Sequence, residues 1–258
     1  MTAAVIVQAR LGSSRLFGKV LMPLDERTVL AHVLERCAAI PGADVVCCAV
    51  PDNEMDNPVA AEAERCGAKV FRGSEQDVLG RYAGAAKWLG AETVMRVTSD
   101  CPLIDPVVCG DVLALVAQDG ADYACNNLPP SWPHGLDCEA MKATWLARAA
   151  TEAARPSERE HVTPFIRNHP DCAKANLAGP GGRMIEHRWT LDTPADYDFL
   201  CEMFRRLPRG ARGWAWRAAL AVVESDPGLA QMNAGQDRLA GLKKSLAEDS
   251  ARGFAPVA

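Results

Sequence analysis

The chain has 258 residues, 48% hydrophobic and 24% charged, the make-up of an ordinary globular protein large enough to bury a substantial core. With 28 basic against 33 acidic residues its net charge is −5, which excludes general nucleic-acid or anionic-membrane binding and leaves room only for a local basic cluster. No apolar run approaches the roughly 20 residues that a membrane span needs.

Ten cysteines sit mostly inside apolar runs such as residues 44–50, with no C-x-x-C pair and no signal-peptide layout at the N-terminus. They are expected to be reduced thiols acting as small core hydrophobes in a cytoplasmic protein.

In chain order, residues 3–7 predict a buried strand, followed by a glycine- and serine-containing loop. Over residues 28–40, Val29, Leu30, Val33, Leu34 and Cys37 fall on one helical face. A second buried strand is expected at 44–50. A helix at 57–66 follows, with Asn57 as its N-cap before Pro58 and Gly67 just beyond its end. A short strand at 69–71, a helix at 77–89 stopped by Gly90, and a strand at 93–97 come next. That strand leads into Thr98-Ser99-Asp100, and a helix at 106–117 and a strand at 122–125 complete the first half. Such alternation predicts a three-layer α/β/α fold on a mixed, mostly parallel sheet, with ligands at the C-terminal ends of the strands.

From about residue 129 the pattern changes. Pro129, Pro130, Trp132 and Pro133 cluster, and an alanine-rich helix is expected at 142–154. Further on come a glycine-rich turn at 179–182, a strand at 184–191 and a helix at 194–206 opened by Pro194. This half reads as insertions and a return strand on the same sheet. The expected organisation is one domain over 1–212, with an inserted region at about 129–182, and a helical tail over 213–258.

Two stretches carry chemistry. Residues 9–19 (ARLGSSRLFGK) pack three cations, two glycines and two serines into a loop after the first strand. The glycines allow close backbone approach, successive amides can nest an anion, and Arg10, Arg15 and Lys19 supply charge. Their spacing matches neither a Walker A loop nor G-x-G-x-x-G, and a solvated basic turn has the same composition. Asp100 and Asp192 each follow an expected strand. Mg²⁺ is commonly held by one or two carboxylates plus substrate phosphates, which suits such a pair. Asp192-Thr193-Pro194 is equally a good helix start, with Asp192 or Thr193 as the cap and no metal required, and Asp105 before Pro106 reads as a cap alone.

Residues 5–21 (VIVQARLGSSRLFGKVL) resemble the signature of the CMP-sugar synthetases, the cytidylyltransferases that activate 3-deoxy-manno-octulosonate and nonulosonates. Further blocks at 71–74, 77–82, 96–105, 135–139, 160–164 and 191–194 run in the same order and resemble the spore-coat-polysaccharide branch. The resemblance implies a nucleotide-diphospho-sugar transferase fold of the GT-A/Rossmann-like kind. It also implies CTP as donor and attack of a sugar-acid hydroxyl on the α-phosphate, giving a CMP-sugar and pyrophosphate for polysaccharide synthesis. Ala9, Arg10, Gly12, Ser13, Ser14, Arg15 and Lys19 are then the triphosphate loop, and Arg72, Asp77 and Arg81 lie near base and ribose. Asp100 and Asp192 hold Mg²⁺, and Arg10, Lys19 and Asp100 are the catalytic set. A homodimer through residues 129–141 is implied as well. The chain departs from the pattern at Phe17, where the family loop has proline, and at Thr98-Ser99, where the sugar-acid enzymes carry a glutamine.

The acceptor, a small sugar-acid-like molecule, is expected in the irregular second half. There His134, Asp137, Glu139, Glu160, His161 and Arg167 supply both signs of charge. Glu139, two residues after Asp137, faces the same side of an extended strand; His161 is open to a substrate or a structural role. A GT-A glycosyltransferase would present Asp-x-Asp where this chain has Thr98-Ser99-Asp100.

Overall fold

The computed structural model describes residues 2–13, 15–118, 120–208 and 215–255. Strand β1 (Ala3–Gln8) is the axis of the fold, with Ala4 to Val7 fully buried because helices cover both faces of the sheet. A 3-10 turn at Lys19–Leu21 and a small ribbon of β2 (Pro23–Leu24) and β3 (Arg27–Thr28) lead into α1 (Val29–Ala38). Then come β4 (Val45–Pro51), α2 (Asn57–Arg65), β5 (Lys69–Gly73), α3 (Val78–Leu89), β6 (Thr93–Thr98) and α4 (Pro106–Ala117). The second half holds β7 (Tyr123–Cys125), β8 (Glu139–Lys142), α5 (Ala143–Glu152), α6 (Pro156–His161), α7 (Pro164–Asn168) and β9 (Lys174–Asn176). After them follow α8 (Pro194–Arg206), α9 (Trp216–Ser225), α10 (Pro227–Gln231) and α11 (Ala240–Ala251).

The main sheet runs β5-β4-β1-β6-β8-β7-β9. Pairings among β5, β4, β1 and β6 are parallel, β8 is antiparallel to both neighbours, and β9 is parallel to β7. The expected mixed, mostly parallel α/β sheet is therefore present. Alternation sorts its two faces: Val5, Val7, Met95 and Val97 join one core, and Ala4, Ile6 and Val94 the other. A third cluster, with Trp132, Trp189 and Trp216, lies beneath α8 and α9. Gln8 is level with Thr98 across β1 and β6, so the loop after β1 and the turn at Asp100 leave the sheet side by side.

The helix starts follow local chemistry. Thr28 caps α1 by accepting from the Ala31 amide, and Asp105 caps α4 from Val107 and Val108. Asn57 does not cap α2: it is the first residue of that helix, and its side chain accepts instead from Arg72 at 2.7 Å. The expected strand at 184–191 is also corrected. Gly181 and Gly182 take left-handed φ of 66° and 57°, a 3-10 turn occupies Gly182–Glu186, and Arg188 makes only an isolated bridge with His134. Apolar alternation alone does not make a strand where ion pairs and glycine geometry hold the backbone elsewhere. The added strands of the sheet are β8 and β9.

All ten cysteines are free, and eight are buried. Burial pushes the Cys47 thiol up to about 12, as expected of a core hydrophobe and not a nucleophile. Among the described residues no helix is long and apolar enough to cross a membrane.

Candidate active site

The loop after β1 is closed on itself. The Gly18 amide donates to the Leu11 carbonyl at 2.9 Å, and Gly18 sits at φ +70°, where a side chain would be strained. The Leu11 amide donates to Asp56 Oδ1 at 2.6 Å, tying the loop to the start of α2. This folding delivers Lys19, at the start of the 3-10 turn, to the ends of two other segments. Its ammonium donates to Asp100 Oδ2 at 2.9 Å, to Asp192 Oδ1 at 2.9 Å and to the Leu191 carbonyl at 2.7 Å. Arg15 reaches the same Asp192 oxygen at 2.9 Å.

The two aspartate segments are also joined by backbone. The Leu191 amide donates to the Asp100 carbonyl at 2.8 Å, and the Thr190 hydroxyl to the same oxygen at 3.1 Å. Burial alone would lower the Lys19 pKa, but the Asp100 and Asp192 carboxylates outweigh it and raise it. Burial would conversely raise Asp100, yet Lys19 and a hydrogen bond from Thr98 hold its carboxyl far below the usual range. Both groups are thus charged at neutral pH, and the Asp100 side chain keeps 25% exposure.

Asp192 is not a helix cap. Thr193 and Asp196 form the capping box of α8: Thr193 Oγ1 accepts the Asp196 amide and Asp196 Oδ2 accepts the Thr193 amide at 2.9 Å. That frees Asp192, whose second oxygen takes Arg188 Nη2 at 2.9 Å. Arg188 is buried and also grips Asp196, at 2.7 and 3.0 Å, and donates to His134 Nδ1 at 3.1 Å. Gly135 permits this approach: a Cβ there would stand 2.5 Å from the Trp189 carbonyl.

Two carboxylate oxygens lying 2.9 Å from one cationic nitrogen form a convergent, hard donor pair. Among the described residues no cluster of three or more metal-ligating side chains exists. Such an oxygen pair is of the kind that holds a divalent cation whose remaining ligands are phosphate oxygens and water.

The other expected site residues are distributed unevenly. Ala9 is buried and extends the sheet by donating to the Ala49 carbonyl at 3.2 Å; Ser13 Oγ accepts the Leu16 amide at 3.4 Å. Arg10 stands half-exposed 3.8 Å from Glu75, with Gly12 beside it, and Ser14 lies outside the described residues. Phe17, the departure from the family pattern, projects into solvent at 65% exposure. Arg72 is held by Asn57 and the Asn53 carbonyl, and Arg81 by the Ser74 carbonyl. Asp77 caps α3 and accepts both ends of the Arg159 guanidinium, so its carboxylate is occupied by structure.

The four acceptor candidates fall into separate networks. Asp137 lies 3.7 Å from His134 and pairs with Arg238, so it adjoins the Arg188–Asp192 cluster. Glu139 is 4% exposed, and its oxygens accept from Arg96 at 2.6 Å, Tyr123 at 2.5 Å and Thr163 at 2.7 Å. It belongs to a buried ion pair at the start of β8, whereas Asp137, expected on the same side of an extended strand, lies before that strand and joins another network. Glu160 and His161 both bond the Ser245 hydroxyl of α11, at 2.8 and 2.9 Å, and so face the tail.

Sequence reasoning missed Arg188, Asp196, Asn233 and Arg238. The Asn233 amide group donates to Asp196 Oδ1 and to the Arg188 carbonyl, both at 3.0 Å, and Arg238 anchors on the Trp132 carbonyl. Arg188, four residues before Asp192 and eight before Asp196, carried a local charge signal. The two tail residues carried none.

Residues 4–202 match the model of the cytidylyltransferase family. The chain is 31% identical over 208 residues to the spore coat polysaccharide biosynthesis protein SpsF of Bacillus subtilis, spanning 78% of this chain and 85% of that protein. Its fold matches a cytidylyltransferase from Leptospira borgpetersenii with a TM-score of 0.84, at 26% identity over 92% of this chain and 98% of the other. It also matches CMP:2-keto-3-deoxy-manno-octonic acid synthetase complexed with CTP, with a TM-score of 0.61 at 17% identity, covering 80% and 99% of the two chains; at that identity the likeness is one of fold. With the family match spanning most of its length, this chain belongs to the cytidylyltransferase family of CTP-dependent nucleotidyltransferases.

Proposed function

We propose that the protein transfers CMP from CTP to a hydroxyl of a sugar acid, releasing pyrophosphate, in the synthesis of a surface polysaccharide. The observation that carries this reading is the Lys19 ammonium shared by Asp100 and Asp192 at the mouth of the loop after β1. The sugar-acid class is supported by the sequence resemblance and by the sugar acid that the CTP-complexed synthetase of the same fold acts on. The same reading takes the protein to be cytoplasmic, on its free and mostly buried cysteines, and a homodimer, on the resemblance of its sequence.

In this mechanism Lys19, Arg15 and Arg10 place positive charge where the triphosphate must lie, lowering the repulsion that a nucleophile meets at the α-phosphate. Asp100 and Asp192 would hold Mg²⁺, which supplies Lewis acidity to the phosphates and lowers the pKa of a bound hydroxyl. Arg188 fixes the Asp192 carboxylate from behind, and Asp196 with Asn233 fixes Arg188. His134 and Asp137, beyond Arg188, are the acceptor-side groups nearest this cluster.

The test is to incubate the protein with each nucleoside triphosphate, Mg²⁺ and a panel of sugar acids, and to follow pyrophosphate. Release with CTP and a 3-deoxy sugar acid is expected. No release with any acceptor, although CTP binds by calorimetry, would contradict the reading.

A further inference from the structure

On the far edge of the sheet from β5, a cavity of about 520 Å³ opens between the ends of β7 and β9, the helices α6 and α7, and the tail helix α11. Its size is that of a small-molecule site, and it shares no residue with the Lys19–Asp100–Asp192 cluster. Leu128, Pro164, Leu242 and Leu246 supply apolar wall, and Arg167 and Lys174 supply charge.

Arg167 is the informative residue. Among the described residues its guanidinium makes no hydrogen bond and no ion pair within 4 Å, although it lines the cavity and its charge helps hold the buried Glu139 carboxyl down. Lys174 is beside it, its ammonium donating to the Arg167 carbonyl at 3.0 Å. Two carboxylates lie nearby, and neither bonds the Arg167 guanidinium. Glu158 in the wall accepts the Arg155 amide at 3.1 Å, and Glu139 beneath Tyr123 is paired with Arg96. A guanidinium presents five donors in a rigid fork that matches a carboxylate, and an unmet fork beside a lysine, over apolar walls, is complementary to an amphipathic anion.

The wall formed by α11 is fixed in place. Asp249 accepts from the Ser157 amide at 3.1 Å and from its hydroxyl at 2.5 Å, and Ser245 bonds Glu160 and His161. This wall lies beyond residues 4–202, the part of the chain that matches the family.

We propose that this cavity is a second ligand site, taking a small organic anion whose carboxylate is clamped by Arg167 and Lys174 and whose apolar body rests on Leu242 and Leu246. The site is independent of the nucleotide reaction.

Fluorine NMR on the full chain tests it with 4-(trifluoromethyl)benzoate and its neutral analogue 4-(trifluoromethyl)benzamide as probes. The benzoate should bind at least about tenfold more tightly than the amide, the advantage of a charge-assisted contact. Arg167→Met should abolish that preference, and saturating CTP with Mg²⁺ should leave it unchanged. Should thermal melting show that Arg167→Met does not fold, Leu246→Glu on the tail wall is read instead, and it should abolish the preference by setting a like charge against the anion. Equal affinity for the two probes, no binding at millimolar concentration, a preference that survives in the folded variant, or displacement by CTP would each overturn the proposal.

Discussion

Two ion-paired clusters flank β6, and they differ in what surrounds them. Lys19, Asp100 and Asp192 meet above the strand ends, with Asp100 still 25% exposed. Arg96 and Glu139 pair across β6 and β8 within the sheet, where Tyr123 and Thr163 occupy the remaining carboxylate capacity and Gln8 takes a second Arg96 nitrogen at 3.2 Å. The residue types are alike. What separates a site from a strut is whether the carboxylate keeps an open side for a ligand, since a closed buried pair stabilises only when every partner is present.

That contrast can be broken by mutation. The largest effect is expected for Asp100→Ala, which should reduce turnover by about a thousandfold or more, measured as pyrophosphate release, at a smaller cost in stability than Glu139→Ala because Lys19 keeps Asp192 as a partner. Glu139→Ala should do the reverse. Leaving Arg96 buried and unpaired should cost about 3–5 kcal/mol in denaturant unfolding. A Glu139→Ala protein as stable as the wild type would remove the strut from the comparison.

Acidity sharpens the same point. Burial would raise the Glu139 pKa, but Arg96 and the Tyr123 and Thr163 hydroxyls hold it below the ordinary value. A carboxyl depressed in the fold contributes stability above its unfolded pKa of about 4.3, and that contribution is lost as pH falls through the folded value. Stability should therefore decline below about pH 4.3 more steeply in the wild type than in Glu139→Gln. The smallest effect belongs to Thr193→Ala. Loss of the α8 cap should cost about 1 kcal/mol in unfolding, with kcat within a fewfold of wild type, whereas Asp192→Asn should lower kcat far more and also cost stability, because it leaves Lys19 and Arg188 with one carboxylate each.

The sequence made the alternation of β1 through α4 legible, because period-2 and helical patterns are local and these elements are long. It also pointed to residues 9–19 and Asp100, since both follow strands whose parallel packing sends their C-terminal ends to one edge. Asp192 was ambiguous for a physical reason. A Thr-Pro-x-Asp start caps itself, and only the position of Asp196 against Thr193 shows that the preceding aspartate is not the cap. Glu139 was misjudged because alternation gives the side of a strand and not its depth. Arg238 and Asn233 were invisible, as they meet Asp137 and Asp196 across 101 and 37 residues of chain. Long-range polar contacts of that kind leave no periodic trace.

The proposal that most needs a direct test is that Asp100 and Asp192 would together seat a divalent cation beside the triphosphate. Electron paramagnetic resonance titration of Mn²⁺ into the protein with bound CTP tests it without relying on turnover. Asp100→Asn and Asp192→Asn should each weaken Mn²⁺ binding by about tenfold or more, a loss at least as large as that from removing an outer-shell partner of a ligand, and Thr193→Ala should leave it unchanged. Undiminished Mn²⁺ affinity when both aspartates are replaced would contradict the account.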